Sequence, residues 1–376
     1  IGLVSLIPGW FNLRPSRIAS GSDVSLWDGA GWAVTAALLL LWLVCLGASI
    51  YGRGRLKAAV LGGAANLVLV AALLVAGWAS GRILDGQSDI ARVSLSAGFW
   101  LTLVAAYVVI HAARQRLAGW GFRRNLLALV GPVVLVVLFA GGWLDETSIV
   151  REFSGYEDRF LQELRQHIVL FASSVGVGTI LGVALGIWAS RSRRAEQPIF
   201  FVTNITQTIP SLALFGLLIV PLSELSFAFP WLRDLGIRGV GMTPAMIALV
   251  VYSLLPIARN TFVGLKQVDP AAIDAGLGMG MSRRQVFRKI EAPLAAPVVL
   301  EGVRIAAVQA VGLAAVAAFI GAGGLGWFIL RGAGQQAVDL ILVGALPIVV
   351  LALVVDGAMR GVIRLATPRG VLRGAA

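Results

Sequence analysis

Residues 269–297 read DPAAIDAGLGMGMSRRQVFRKIEAPLAAP, the one long polar interruption in the apolar second half of a 376-residue chain. Asp269 followed by Pro270 is a helix start, because the Asp side chain caps free backbone N–H groups and Pro suits the first helical position. That pair predicts a short helix through about Leu277. Gly278 and Gly280 then supply backbone freedom for a reversal. Ser282 with Gln285 forms a capping box that opens a second helix, with Met281 and Val286 as its hydrophobic staple and Pro293 as its expected end. The product is a helix–turn–helix elbow with apolar contacts at Met279, Met281, Phe287 and Ile290 and a basic rim of Arg283, Arg284, Arg288 and Lys289. Such an elbow is suited to docking on a partner.

The surroundings of the elbow are those of a membrane protein. The chain is 58% hydrophobic and 13% charged, with mean hydropathy +0.87, against about half apolar and a quarter charged in soluble domains. Nine stretches are long enough to span a bilayer: 32–50, 57–79, 94–113, 126–143, 167–189, 199–222, 242–262, 298–320 and 339–365. The opening IGLVSLIPGWF reads as the tail of a tenth, truncated span. Of the 31 Lys and Arg, 19 fall in loops 51–57, 114–124, 191–198 and 263–297 and in the tail from Met359. By the positive-inside rule these are the cytoplasmic segments, and both termini lie inside if that first span is restored. The net charge of +12 is therefore spent on topology, and no basic face for nucleic acid forms. The acids cluster instead at 144–166, an external segment in which Phe153, Tyr156, Phe160 and Leu164 make one apolar stripe at helical spacing.

Four divisions follow: membrane helices of unassigned role at 1–143, the external acidic segment at 144–166, a membrane core at 167–365 carrying the elbow 269–297, and a cytoplasmic tail at 366–376. Within the core, Ser174, Gly178, Gly182 and Gly186 recur every fourth residue, as do Gly302, Ala306, Ala310, Ala314 and Ala318, so that two helices each present a flat seam for close packing. Intramolecular packing is the default for both.

Several chemistries are discounted. Gly321, Gly323, Gly324 and Gly326 fit G-x-G-x-x-G but follow a membrane helix and no βαβ strand. No Gly-Lys dipeptide exists to build a phosphate-binding loop, so any ATP chemistry belongs to another chain. His111 and His167 stand apart from clustered acids, and no metal site is expected. Cys45 has no partner for a disulfide. Polar groups inside spans carry more information. Asn204, Thr206, Gln207 and Thr208, crowded before Pro210, form the candidate pathway wall together with Tyr252 and Ser253 before Pro256; hydrogen bonding between helices is an equally good reading of any one of them. Glu301 and Arg304 are placed to pair with each other, Arg259 is placed near them, and Asp356 has no evident partner.

The elbow resembles the EAA loop of ATP-binding-cassette importer permeases, whose pattern is Glu-Ala-Ala, three residues, Gly, nine residues, then Ile-x-Leu-Pro. Asp274, Ala275 and Gly276 stand at the Glu-Ala-Ala positions, Gly280 at the central Gly, and Ile290 and Pro293 at the Ile and Pro. Asp replaces Glu, Gly replaces the second Ala, and Ala292 replaces Leu. The stretches QTIPSLALFG (207–216), GMTPAMIALVVYSLLPIARNT (241–261) and IGAGGLG (320–326) resemble the branch that imports glycine betaine, choline and related osmoprotectants. The resemblance implies an all-α membrane fold of about ten helices whose last five form a type I permease core. It further implies a second permease subunit, identical or homologous, two cytoplasmic ATPases carrying ATP-Mg, and an external substrate-binding protein. The chain itself would bind no cofactor and catalyse no reaction. Coupling to the ATPase would fall to Asp274, Ala275, Gly276, Gly280, Met281, Arg283, Arg284, Phe287, Ile290 and Pro293. Import of methionine or another amino acid by the same fold is the alternative. A secondary transporter, which should show an inverted repeat or ion-coupling carboxylates in broken spans, is less favoured.

Overall fold

The computed structural model describes residues 1–17, 19–50, 54–117 and 122–368. Most of the expected tail 366–376, and parts of the expected loops 51–57 and 114–124, lie outside the described residues. The chain divides into two compact units, Ile1–Tyr156 with Gln335–Asp339, and Glu157–Gly334 with Leu340–Ala376.

The first unit contains helices α1 (Leu26–Ala30), α2 (Trp32–Ile50), α3 (Arg55–Leu84), α4 (Ala97–Arg116), α5 (Phe122–Ala140) and α6 (Ser148–Ser154), and strands β1 (Phe11–Arg14), β2 (Ser22–Val24) and β3 (Arg92–Leu95). The strands form an antiparallel sheet in the order β2-β1-β3, with Asn12 opposite Asp23 on one side and Ser94 on the other. Residues 1–11, expected as the tail of a membrane span, are instead a 3₁₀ turn at Val4–Leu6 followed by the start of β1. Pro8 and Gly9 prevent a continuous helix, and Leu6, Trp10 and Phe11 serve this unit's own core while Ile1, Val4 and Ile7 stay exposed. Trp10 and Phe11 are fully buried, the Trp10 indole donates to the Ser5 carbonyl at 3.0 Å, and Ser5 Oγ shares a 2.7 Å hydrogen bond with Thr102. Polar groups below the sheet are paired: Arg17 reaches Glu152 at 2.8 Å, and Ser94 donates to Asp339 at 2.5 Å. Burial pushes the Glu152 carboxyl above its ordinary range, and the guanidinium groups of Arg17 and Arg92 oppose the shift.

The second unit contains α7 (Glu157–Arg191), α8 (Arg193–Thr208), α9 (Ser211–Ala228), α10 (Trp231–Asp234), α11 (Met242–Lys266), α12 (Pro270–Gly278), α13 (Arg283–Val286), α14 (Ala292–Val316), α15 (Gly326–Gly334) and most of α16 (Val338–Ala366). Among the described residues eight helical runs are long and apolar enough to cross a membrane, and a ninth apolar helix, Asn125–Ala140, is shorter. Each of the nine expected spans thus has its helix, and one is broken. The stretch 199–222 divides between α8 and α9, because Pro210 has no N–H to continue α8 and holds Ile209 in an extended conformation. The acidic segment 144–166 is likewise interrupted. α6 ends at Ser154 and α7 begins at Glu157, so the expected single stripe is split, with Phe153 against Phe139 in the first unit and Phe160 against Phe328 in the second.

Helix α11 lies between α7 and α14, and the small-residue seams explain how. A Cβ on Gly178 would fall 1.8 Å from Ser253 Oγ, one on Gly186 2.5 Å from Thr261 Cβ, and one on Gly302 2.6 Å from the Pro256 carbonyl. Both seams therefore pack against a helix of the same chain.

Candidate functional site

The elbow is built as its local chemistry dictates. Asp269 caps α12 by accepting from the Ala271 N–H at 2.9 Å, and Ser282 and Gln285 make the reciprocal capping box of α13. Between the two helices Gly280 adopts φ +84°, where any side chain would be strained although nothing crowds the position. Gly276, the departure from the Ala expected there, is the point at which α12 meets the following turn. An added Cβ would lie 2.6 Å from Ile290 Cδ1, 3.4 Å from Val286 Cγ2 and 3.7 Å from Met281 Sδ. Those three side chains are the elbow's interior.

Its exterior is formed by Asp274, Ala275, Gly280, Arg283, Arg284, Arg288 and Lys289, all exposed, together with Met279, which is 71% exposed instead of packed. Phe287 turns inward beneath the guanidinium of Arg191, 5.4 Å from the ring centre, and Arg191 pairs at 2.5 Å with Glu291.

One expectation fails here: Pro293 does not end the second helix. Residues Phe287–Glu291 form a π-turn in which the Ala292 N–H bonds to the Phe287 carbonyl, and Pro293 falls in the first turn of α14, where its missing N–H costs no hydrogen bond. The elbow thereby runs without a break into a helix extending to Ile320.

The candidate pathway residues separate into two groups. Gln207 and Tyr252 come together where Pro210 ends α8 and Pro256 lies inside the unbroken α11. Pro256 in α11 cannot donate to the Tyr252 carbonyl one turn earlier; Gln207 Nε2 donates to it instead, at 2.5 Å. In return the Tyr252 hydroxyl donates at 2.6 Å to the carbonyl of Ile209, released where α8 stops at Pro210. Gln309 Nε2 of α14, which sequence reasoning missed, approaches Gln207 Oε1 at 3.4 Å. Asn204 and Thr208 are exposed outside this cluster, and the Thr208 hydroxyl bonds only to its own helix. Ser253 lies apart from them, buried in the seam against Gly178, and donates to the Val250 carbonyl.

Two further polar clusters were only partly foreseen. Along one face of α7, Glu163 Oε2 accepts from the Gly324 N–H at 2.6 Å, Gln166 Nε2 donates to the Ala322 carbonyl at 2.7 Å, and His167 Nε2 meets the Val311 carbonyl at 3.1 Å. Glu163 is fully buried and also pairs with Arg159 at 2.5 Å. The 320–326 glycines thus form a loop gripped by a carboxylate. Elsewhere Glu301 pairs with Arg304 as expected, and Asp356 finds its partners across α14 and α16 in Arg304 at 2.6 Å and Arg360 at 2.8 Å. Arg259 is not part of that network and stacks on Phe200, 4.9 Å from the ring centre. Among the described residues no group of His, Cys, Asp and Glu is placed to hold a metal ion.

A bundle of membrane-length helices, one of them broken at Pro210, that carries an exposed elbow continuous with another has the build of a transport permease. Residues 178–366 match the family described as "binding-protein-dependent transport system inner membrane component", and the chain belongs to that family. Residues 1–150 match the "ABC transporter permease YehY, N-terminal domain". The carnitine transport permease protein OpuCB of Listeria monocytogenes is 38% identical over 60% of this chain and 95% of its own length. The osmoprotectant import permease protein OsmW of Salmonella typhimurium is 40% identical over 55% of this chain and 91% of its own. The choline transport system permease protein OpuBB of Bacillus subtilis is 37% identical over 57% and 91%. The chain is accordingly a multi-pass inner-membrane permease subunit of an ATP-binding-cassette importer. The secondary-transporter alternative falls with that membership.

Proposed function

We propose that this permease imports osmoprotectants of the glycine betaine, choline and carnitine class, driven by a partner ATPase seated on residues 269–297. The observation that carries the coupling half is the elbow itself, whose interior packs on Gly276 while its motif residues Asp274 and Ala275 and its arginines stay exposed. Two ATPases binding ATP-Mg, a second permease subunit and an external binding protein complete the assembly. ATPase closure pushes the elbow, and the continuous run from Arg283 to Ile320 carries that push into the bundle. The distribution of Lys and Arg supports a cytoplasmic elbow and a cytoplasmic end of α16, whereas residues 11–14 pair with β3, between α3 and α4, on the side this rule makes external.

Substrate class is supported by relatives named for carnitine, osmoprotectants and choline, against methionine or another amino acid. A quaternary ammonium held tightly is surrounded by aromatic faces. At Gln207 and Tyr252 neutral polar groups predominate, which suits a weakly interacting passage, with recognition left to the external binding protein. Uptake of labelled glycine betaine by the reconstituted importer, with and without ATP and against methionine, tests the reading. ATP-dependent uptake of an amino acid and none of betaine or choline defeats the substrate class. For orientation, with Cys45 replaced, Glu157→Cys should react with an impermeant thiol reagent in intact cells and Arg284→Cys only after lysis; the reverse overturns the topology.

A further inference from the structure

The last turns of α7, the first half of α8 and the middle of α11 enclose a groove of about 450 Å³, within the range of small-ligand sites. Leu185, Ile199, Val202 and Leu254 line its depth, and Trp188 and Arg194 stand at its mouth. The residues are graded along the two helices. Leu185 lies six residues before Arg191, about 9 Å along α7, and Val202 eight residues beyond Arg194, about 12 Å along α8, at the helical rise. Trp188 is 59% exposed at the level where Trp is enriched in membrane proteins. Arg194 is exposed and makes no ion pair or hydrogen bond among the described residues, whereas its neighbour Arg191 is engaged by Glu291.

A cation at the rim, an aromatic at the boundary and an apolar trough below repeat, in order, the headgroup, glycerol and acyl layers of a phospholipid. We propose that this groove holds one anionic phospholipid of the cytoplasmic leaflet, its acyl chain along Leu185, Val202 and Leu254 and its phosphate on Arg194. The charge of the mouth selects the headgroup: basic pockets between membrane helices on the cytoplasmic side take anionic lipids, each Lys or Arg near the surface favouring them about fivefold. The site rests on the cytoplasmic placement of the α7–α8 junction and is independent of the substrate carried.

Native mass spectrometry of the detergent-purified full-length importer, titrated with phosphatidylglycerol or phosphatidylcholine, tests it. Phosphatidylglycerol should be retained over phosphatidylcholine, and inorganic phosphate should not displace it, since a free anion leaves the trough unused. Arg194→Gln should lower retention of phosphatidylglycerol about fivefold and leave that of phosphatidylcholine unchanged. Val202→Trp, which fills the trough at an exposed position, should abolish retention of both at this site. Equal retention of the two lipids by the unaltered protein, or full retention by either variant, overturns the proposal. So does a change in subunit stoichiometry with Val202→Trp, which would make the groove a contact between permease copies.

Discussion

At its elbow end α7 is fastened by Arg191, half-exposed, to Glu291 on the π-turn. At its other end Glu163, Gln166 and His167 grip the 320–324 loop and the end of α14 from one helix face, and Glu163 is fully buried. The first attachment is a single charge pair beside a surface whose polar groups are still open to a partner. In the second, backbone donors and acceptors of the loop are already consumed by side chains of the same chain. Under the proposed coupling a push would enter at the elbow against few internal bonds, and the glycine-loop end would keep α7 and α14 together as it arrives. The same contrast holds for the glycines. Gly280 is free of neighbours and needed for its φ of +84°, whereas Gly323 and Gly324, also at positive φ, sit directly on Gln166 and His167.

The largest expected effect is at the open end. Gly280→Val places a β-branched residue where φ is positive, at a cost of about 1–3 kcal/mol borne by the turn. We expect the variant to insert normally, to bind the ATPase weakly and to lose transport. Because nothing lies within 4 Å of an added Cβ, Gly280→Asn should retain coupling, Asn being the side chain that best tolerates this conformation. ATP-dependent uptake in vesicles reads both; normal transport by Gly280→Val breaks the elbow half of the comparison.

At the closed end the expected loss is of stability. Glu163→Ala leaves the Gly324 N–H without its acceptor, a penalty of about 1–3 kcal/mol, and leaves Arg159 to its stacking on Trp327. Glu163→Gln preserves an acceptor oxygen for that N–H and should fall between Ala and the native residue. Thermal unfolding in detergent checks the order, with ATPase association as the control that must stay unchanged. Equal melting of Glu163→Ala and the native chain would mean that the bond from Gln166 to the Ala322 carbonyl suffices to hold the glycine loop.

Legibility in the sequence followed the range of each interaction. The elbow was readable because Asp269 with Ala271 and Ser282 with Gln285 are two or three residues apart, and a cap is a local event. Pro293 does not act as a stop because the π-turn at Phe287–Glu291 directly precedes it and leaves it in the first turn of α14, a change of helix type that residue propensities do not announce. The membrane class and the spans were readable from hydropathy, but residues 1–11 were not, since apolar side chains look alike whether they face lipid or a small sheet's core. Glu163 with Gly324, Arg304 with Asp356 and Gln207 with Tyr252 join residues 161, 52 and 45 positions apart. For the last pair half a signal existed: Pro256 announces an orphaned carbonyl at Tyr252, though nothing local names its donor.

That pair supplies the smallest effect and the test lying between the two ends of α7. Gln207 spends its amide nitrogen on the Tyr252 carbonyl and its oxygen on Gln309, so little of it is left to recognise a substrate. Its removal should loosen the joint between α8, α11 and α14. Gln207→Ala is accordingly expected to lower the maximal rate of uptake by about fivefold, the equivalent of one hydrogen bond, while the ratio of glycine betaine to choline uptake stays unchanged. Gln207→Glu keeps an oxygen in place of the donated N–H and sets it against the Tyr252 carbonyl, so it should be slower than Gln207→Ala despite its closer shape. A recognition residue would give the opposite pattern: preference would shift with the rate, and a carboxylate would favour choline, a cation, over the zwitterionic betaine. Measured uptake of both substrates by both variants separates a joint from a recognition site.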